Sequence, residues 1–371
     1  MFKKLPVKLI LFFLICLVGI FFYIAKDRLD LSMNNTETGL AQTVSLPDSV
    51  LGVHRGTWHE GMSSFLFSAE NIGGGYGVWQ YHPENGFKNL LSVEDKFFYG
   101  KIFVDSKGVI YYSANLPGVL YRSADDGETW QVVQEKIGVF WGITEDEAGN
   151  LYGSLWSENR PLIFKSIDNG LTWNLWQDFS TVFPDEAVLY NDNDERFKLR
   201  HLHDIVAVEN DILVGTGDVT RWGVRTGDDG KSWKKAWDEG FTSSVFDSKN
   251  RQVIFGADLP GYREKGIAVY DVDSESVEEV WNPSDISWPG YIYTMIEQGD
   301  VFYAAVHVEE NNSGEKQLYG ILYSEDGKTW KKLIEFETSE VVSELFLLGV
   351  LNNNLYFTHN GELKFVSIAS L

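Results

Sequence analysis

The residues best equipped for chemistry in this 371-residue chain gather around Arg200-His201-Leu202-His203-Asp204, with Asp218, Arg221 and Trp222 shortly after. His201 and His203 stand two apart on a segment that reads as a strand, so their rings point to the same face. Paired imidazoles beside a carboxylate suit general acid–base catalysis. With a further donor from another part of the fold they would suit a metal ion. His201, His203 and Asp218 are therefore the catalytic candidates. The structural alternative is two imidazoles packed between layers and bonded to backbone. No metal and no cofactor is assigned from the sequence. A second group, His54-Arg55-Gly56-Thr57-Trp58-His59-Glu60, reads equally as a pocket wall or as the solvated end of a strand. Arginine forks hold carboxylates and aromatic rings stack on sugar faces. On those grounds Arg55, Trp58, Trp141, Arg200, Arg221, Trp222 and Arg263 are the ligand-binding candidates, with inter-layer packing the plainer reading of Trp141. The glycine-rich Ile72-Gly73-Gly74-Gly75-Tyr76-Gly77 lacks a following helix and a lysine, so it is not a phosphate loop.

Positioning these residues falls to many short strands. One pattern recurs: an apolar strand, a tight turn rich in Gly, Asn and Asp, and a second strand. It is seen at 101–115, 141–156, 203–218, 243–258, 294–308 and 345–360. A seventh unit is read at 62–92, where Tyr81-His82-Pro83-Glu84-Asn85-Gly86 looks like a worn turn. Thirteen Trp, 35 Gly and only nine Pro fit an all-β chain. The last unit is one strand short, and Ser45–Arg55 is expected to supply the missing strand and join the two ends of the body.

Each unit then turns back through a further hairpin. Four of those turns are alike: Ser123-Ala124-Asp125-Asp126-Gly127-Glu128-Thr129-Trp130, Ser166-Ile167-Asp168-Asn169-Gly170-Leu171-Thr172-Trp173, Thr226-Gly227-Asp228-Asp229-Gly230-Lys231-Ser232-Trp233 and the shorter match ending Ser324-Glu325-Asp326-Gly327-Lys328-Thr329-Trp330. A short acceptor side chain ties up turn N–H groups, glycine takes φ > 0 and tryptophan anchors the turn on the sheet. The octet resembles the Asp-box, or BNR repeat, of the sialidase and sortilin-like superfamily. The chain is more similar to that group's uncharacterised secreted bacterial members than to true sialidases. The resemblance implies a single β-propeller, of seven blades or alternatively six, in which Asp125, Gly127, Trp130, Asp168, Gly170, Trp173, Asp228, Gly230, Trp233, Gly327 and Trp330 are structural. It also implies that ligands meet the opposite face. There it collects His54–Glu60, Phe140-Trp141, Arg200–Asp204, Thr216–Trp222, Asp258–Arg263, Tyr291-Ile292-Tyr293 and His307. The His-x-His element before a strand ending Gly215-Thr216-Gly217-Asp218 likewise resembles a feature of such proteins.

The net charge is −23. Lys3, Lys4, Lys8, Lys26 and Arg28 against Asp27 and Asp30 make the first thirty residues +3, leaving −26 for the rest. A body this acidic argues against nucleic acid as a partner. Leu9 to Ala25 carries no charge and is preceded by three lysines, the pattern of an N-terminal transmembrane anchor with the body outside the cytoplasm. The expected organisation is an anchor at 1–25, a polar tether at 26–46 and a propeller at 47–371. Cys16, the only cysteine, lies in the apolar run, so the body has no disulfide.

Two classes of function fit. One is a membrane-anchored, extracytoplasmic propeller that binds a glycan or a protein partner. The other is a carbohydrate-active enzyme on acidic glycans, a hydrolase or lyase with His201 or His203 as base. A true sialidase would need three arginines on the substrate carboxylate and a Tyr–Glu pair. Arg55, Arg200 and Arg263 with Tyr291 or Tyr293 near Glu297 would form such a set, but Arg55 is followed by Gly56-Thr57 rather than Ile-Pro, and no arginine follows Arg263.

Overall fold

The computed structural model describes residues 41–94, 100–114, 118–157, 160–186, 189–191, 194–209, 211–217, 220–258, 266–282, 288, 291–308, 315–369 and 371, the side chains of 189–191 and 194–197 excepted. All belong to one compact unit, Glu37–Leu371. The expected anchor at Leu9–Ala25, Asp218 and Arg263 lie outside the described residues. Among the described residues no helix is long and apolar enough to cross a membrane.

The strands form seven four-stranded antiparallel sheets, the blades of a β-propeller. Blades I to VI occupy 50–93, 101–135, 139–178, 202–237, 241–281 and 291–338, each with its four strands in chain order. Blade VII takes Leu345–Leu351, Asn354–His359 and Glu362–Ser367, and its outer strand comes from the other end of the body. That strand is Gln42–Val44, with Gln42 opposite Phe365 and Val44 opposite Leu363. The expected closure is present, but the segment differs from the expected Ser45–Arg55. Val50–His59 is instead the innermost strand of blade I. Strand pairing therefore begins inside the stretch read as a tether. Pairing the chain ends within one sheet leaves no open seam in the ring.

The core lies between blades rather than at one centre. Each blade presents large side chains to the next, as Tyr303, Ile321 and Phe336 of blade VI do to Leu345, Leu347 and Phe357 of blade VII. Hydroxyls on second strands and innermost strands stitch the layers together. Ser113 accepts from the Phe140 amide at 2.8 Å, Ser243 accepts from Met295 at 2.8 Å, and Thr242 donates to the Ile292 carbonyl at 2.7 Å.

The four octet turns join the third and fourth strands of blades II, III, IV and VI. In each, the carboxylate accepts from the hydroxyl two residues before it and from the amide and hydroxyl of the Thr or Ser after it. For Asp168 these distances are 2.8, 2.9 and 2.6 Å. These bonds, the Thr or Ser hydroxyl first, hold Asp125, Asp168 and Asp228 below the usual carboxylate range, Asp228 at about 2. The turn glycines each press on the preceding blade. A Cβ on Gly170 would lie 2.3 Å from the Tyr111 ring, and one on Gly127 2.8 Å from Leu90. The shorter fourth match drops one residue before its glycine. The first three carry Asp126, Asn169 or Asp229 there in the left-handed region, and blade VI omits that position. Asp326 still binds Ser324 at 2.9 Å and the Thr329 hydroxyl at 2.8 Å. In blade I, Gly86 sits at the corresponding turn with φ +75 and open space around it.

Candidate functional site

Innermost strands line the propeller axis, and six of the seven carry a β-bulge near the same level. The ladder to the second strand slips between Val53 and Gly56, Phe140 and Gly142, Leu202 and Ile205, Phe241 and Ser243, Ile292 and Thr294, and Leu347 and Gly349. The residues within the slips are His54 and Arg55, Trp141, His203 and Asp204, Thr242, Tyr293, and Leu348. A bulge bends its strand and re-aims the extra side chain. Most of the chemistry-bearing residues near the axis sit at these extra positions.

Arg55 is the hub. Its guanidinium carbon lies 4.1 Å from the Trp141 ring centre, 5.0 Å from Phe346 and 5.6 Å from Tyr293, so blades III, VI and VII wall in a cation from blade I. Tyr293 packs edge-on against His307 at 4.7 Å, and Trp141 lies 5.9 Å from Trp156. Beside Arg55, His54 Nδ1 is 3.2 Å from Glu344 Oε2. Burial pushes the Glu344 carboxyl up, but the His54 hydrogen bond and the charges of His54, His307 and Arg55 bring it below its ordinary range. Asn360 fixes the Glu344 backbone, accepting from its amide at 2.8 Å and donating its own amide to the Glu344 carbonyl at 3.0 Å.

His201 and His203 do share a face. Their Nε2 atoms are 3.1 Å apart, and His203 Nδ1 lies 3.1 Å from Asp258 Oδ2 of blade V. The rings pack against Trp156 and Trp141 at 5.5 and 5.6 Å. Burial, then the neighbouring His203 and Arg200, hold the His201 pKa well below the usual histidine value, so this ring is neutral at physiological pH.

Beneath the aromatic floor, Lys101 of blade II reaches Asp204 of blade IV at 3.3 Å, and Ser244 of blade V donates to the same carboxylate at 2.7 Å. The ion pair passes in front of blade III, where a Cβ on Gly142 would lie 2.7 Å from Asp204 Oδ1. A bare backbone at this place lets the two charged residues meet.

Several expected site residues lie elsewhere. Trp58 packs on Phe65 at 4.9 Å in the layer between blades I and VII, because the bulge at His54-Arg55 turns the rest of the strand toward the core. His59 Nε2 is 3.1 Å from the Gly108 carbonyl and 3.9 Å from Asp126 of an octet turn, which puts it on the opposite face. Trp222 rests on Phe183 at 5.7 Å with Lys235 over its ring, at the periphery of blade IV, while the Arg221 backbone lies near Gly240 at the entry to the innermost strand of blade V. Arg200 is half-buried next to His201, its carbonyl accepting from Arg160 at 2.9 Å. Tyr293 and Glu297 are four residues apart along one strand, roughly 13 Å, so no Tyr–Glu nucleophile pair forms. Glu297 is instead raised by burial and by Asp247 and Asp300 at the other end of the blade.

Trp156, Phe346, Glu344 and Lys101 belong to the site although the sequence alone does not point to them. Trp156 and His307 end the second strands of their blades, as Thr216 and His359 do, and Asp258 comes directly after such an end. Superposing the repeats puts Trp156 on the same rim. A polar cleft of about 750 Å³ lies on the octet face between blades III and IV. Its polar groups are engaged locally: Asp146 with Asn150 and Tyr152, Lys165 with Asp229, and Asp228 within its own turn.

No family model and no curated protein matches the chain. Solved structures do, and they are β-propellers. An extracellular domain of a hybrid two component system from B. thetaiotaomicron is similar over 89% of this chain and 42% of its own length, with TM-score 0.60 and 15% identity. The GH74 enzyme of Niastella koreensis matches over 89% of this chain and 54% of its own, with TM-score 0.60 and 13% identity. Virginiamycin B lyase of Staphylococcus aureus, solved with quinupristin, matches over 90% and 99%, with TM-score 0.60 and 12% identity. The chain thus spans about two fifths of the two-component domain and about half of the GH74 enzyme. At these identities the likeness establishes the fold.

Proposed function

We propose that this chain is an extracytoplasmic Asp-box propeller, anchored through its N-terminal apolar segment, that binds a glycan at the axial end opposite the octet turns. The observation that carries the reading is the Arg55 cluster. A guanidinium walled by Trp141, Phe346 and Tyr293, with the ionised Glu344 and His54 beside it, combines aromatic faces with fixed charged hydrogen-bonding groups. Pockets for polar ring-shaped ligands are built this way: mostly apolar walls and a few placed polar groups. The resemblance to an extracellular sensor domain and to a glycoside hydrolase supports the same direction. In this reading the octet turns are scaffold.

A second reading, an enzyme acting on acidic glycans, draws on one observation: Asp258 stands behind His203 as an orienting carboxylate stands behind a general base. The purified chain, titrated calorimetrically with neutral and uronate oligosaccharides and followed for turnover, separates the two. Binding without turnover that is lost in Tyr293→Ala and Glu344→Gln supports the binder. Turnover abolished by His203→Ala supports the enzyme. Affinity for every oligosaccharide that is unchanged in both binding variants would sink the assignment of this site.

A further inference from the structure

The two imidazoles at the head of blade IV bring their Nε2 atoms within hydrogen-bond distance, with the rings tilted by 36°. A collinear N–H···N bond at their separation puts the two ring centres about 5.4 Å apart. The observed distance is 4.9 Å. Two imidazoles bound to one ion at about 2.05 Å, with Nε2 atoms 3.1 Å apart, meet at an angle of about 98° and place their ring centres about 4.8 Å apart. The observed separation is close to the one that two imidazoles sharing an ion adopt.

The surroundings fit the same geometry. Asp258 Oδ2 at 3.1 Å from His203 Nδ1 supplies the carboxylate–histidine contact that fixes a metal-binding imidazole and raises its basicity. Trp141 and Trp156 hold the rings from the sides, at 5.6 and 5.5 Å. A Cβ on Gly217 would lie 2.4 Å from His203 Nε2, so glycine leaves room for that nitrogen. His201 and His203 are 1% and 5% exposed.

We propose that His201 Nε2 and His203 Nε2 bind a divalent transition-metal ion of the zinc or cobalt type, with Asp258 positioning His203. The described residues hold no group of three or more His, Cys, Asp or Glu around one point. The proposed ion thus has two ligands among them. This inference stands on the histidine geometry and does not depend on the glycan reading.

The test uses the full chain, freed of metal and titrated with Co²⁺ alone while visible absorption and bound metal are measured. The expected result is one ion per chain, with the absorption of a low-coordinate site and an X-ray absorption signature of two imidazoles. His201→Asn and His203→Asn should each abolish that ion, and Asp258→Asn should weaken binding about 10–100-fold. Melting curves and circular dichroism of the variants report whether they fold. Should they not, the imidazole count on the unmodified chain decides alone. Fewer than one ion per chain at saturation, a spectrum without two imidazoles, or binding unchanged in folded His201→Asn and His203→Asn would overturn the proposal.

Discussion

Gly170 and Gly86 allow the role of the octet turns to be measured by a matched pair. Both occupy the turn between the third and fourth strands of a blade, and their φ angles are +74 and +75. Alanine at either position carries the same left-handed backbone cost, about 1–2 kcal/mol. The surroundings differ. A Cβ on Gly86 would have nothing within 4 Å, whereas on Gly170 it would meet Tyr111 at 2.3 Å. Tyr111 has no easy retreat. It is fully buried, and its hydroxyl donates to the Asn169 carbonyl at 2.9 Å and lies 3.1 Å from Asp105. Overpacking a fixed neighbour adds about 1–3 kcal/mol. Gly170→Ala should therefore cost about 2–5 kcal/mol and Gly86→Ala about 1–2 kcal/mol. Equilibrium urea unfolding of both variants gives the comparison from the midpoints, provided the slopes agree. Equal losses would refute the view that the octet turn of blade III is a staple to blade II, and would reduce its glycine to a local backbone requirement.

Three further outcomes are expected. A chain beginning at residue 46 should melt well below one beginning at residue 41, because it lacks Gln42–Val44 and reopens blade VII; equal melting temperatures would count against closure by that strand. Asp204→Ala should destabilise by about 2–4 kcal/mol, leaving Lys101 without its partner near the axis, and adding Lys101→Met should recover part of the loss in a double-mutant cycle. Burial, followed by the Lys364 charge, lowers His359 to about 3 from 6.5, so the folded state keeps it neutral while the unfolded state takes up a proton below pH 6.5. Stability is then lost as pH falls from about 6.5 toward 3, by about 2 kcal/mol at pH 5 for this residue, and His359→Gln should remove that part of the slope in urea titrations at pH 7 and 5.

Much of the scaffold is legible in the sequence because it obeys local rules. Turn glycines need positive φ, the octets need their hydroxyls and carboxylates at set offsets, and alternating apolar residues mark strands, so blade type, repeat and ring closure can be read directly. Only the segment that closes the ring differs from the expected one. Gln42-Thr43-Val44 is too short to announce itself, while Val50–His59 is long enough to serve either purpose. The site is legible in part. His201 and His203 share a face by alternation, and Trp141 stands near the start of its strand. Trp58 and His59 depart from expectation because one inserted residue at His54-Arg55 re-aims the rest of the strand, and no residue type marks a bulge. Asp258, Glu344 and Lys101 meet their partners across 55, 290 and 103 positions of chain, and such pairings depend on the ring geometry rather than on neighbouring residues.

The slips in the innermost strands have a consequence for how such a molecule can change. A residue in regular register is chosen twice, once by the face it occupies and once by the partner across the ladder. Trp141 and Tyr293 are supernumerary in that ladder, so the alternation that builds the blades makes no demand on them. The axis carries a ring of positions whose side chains can be exchanged while the layers between blades keep their composition. On the proposed reading, ligand preference and structural integrity are thereby written at separate addresses in the same strands.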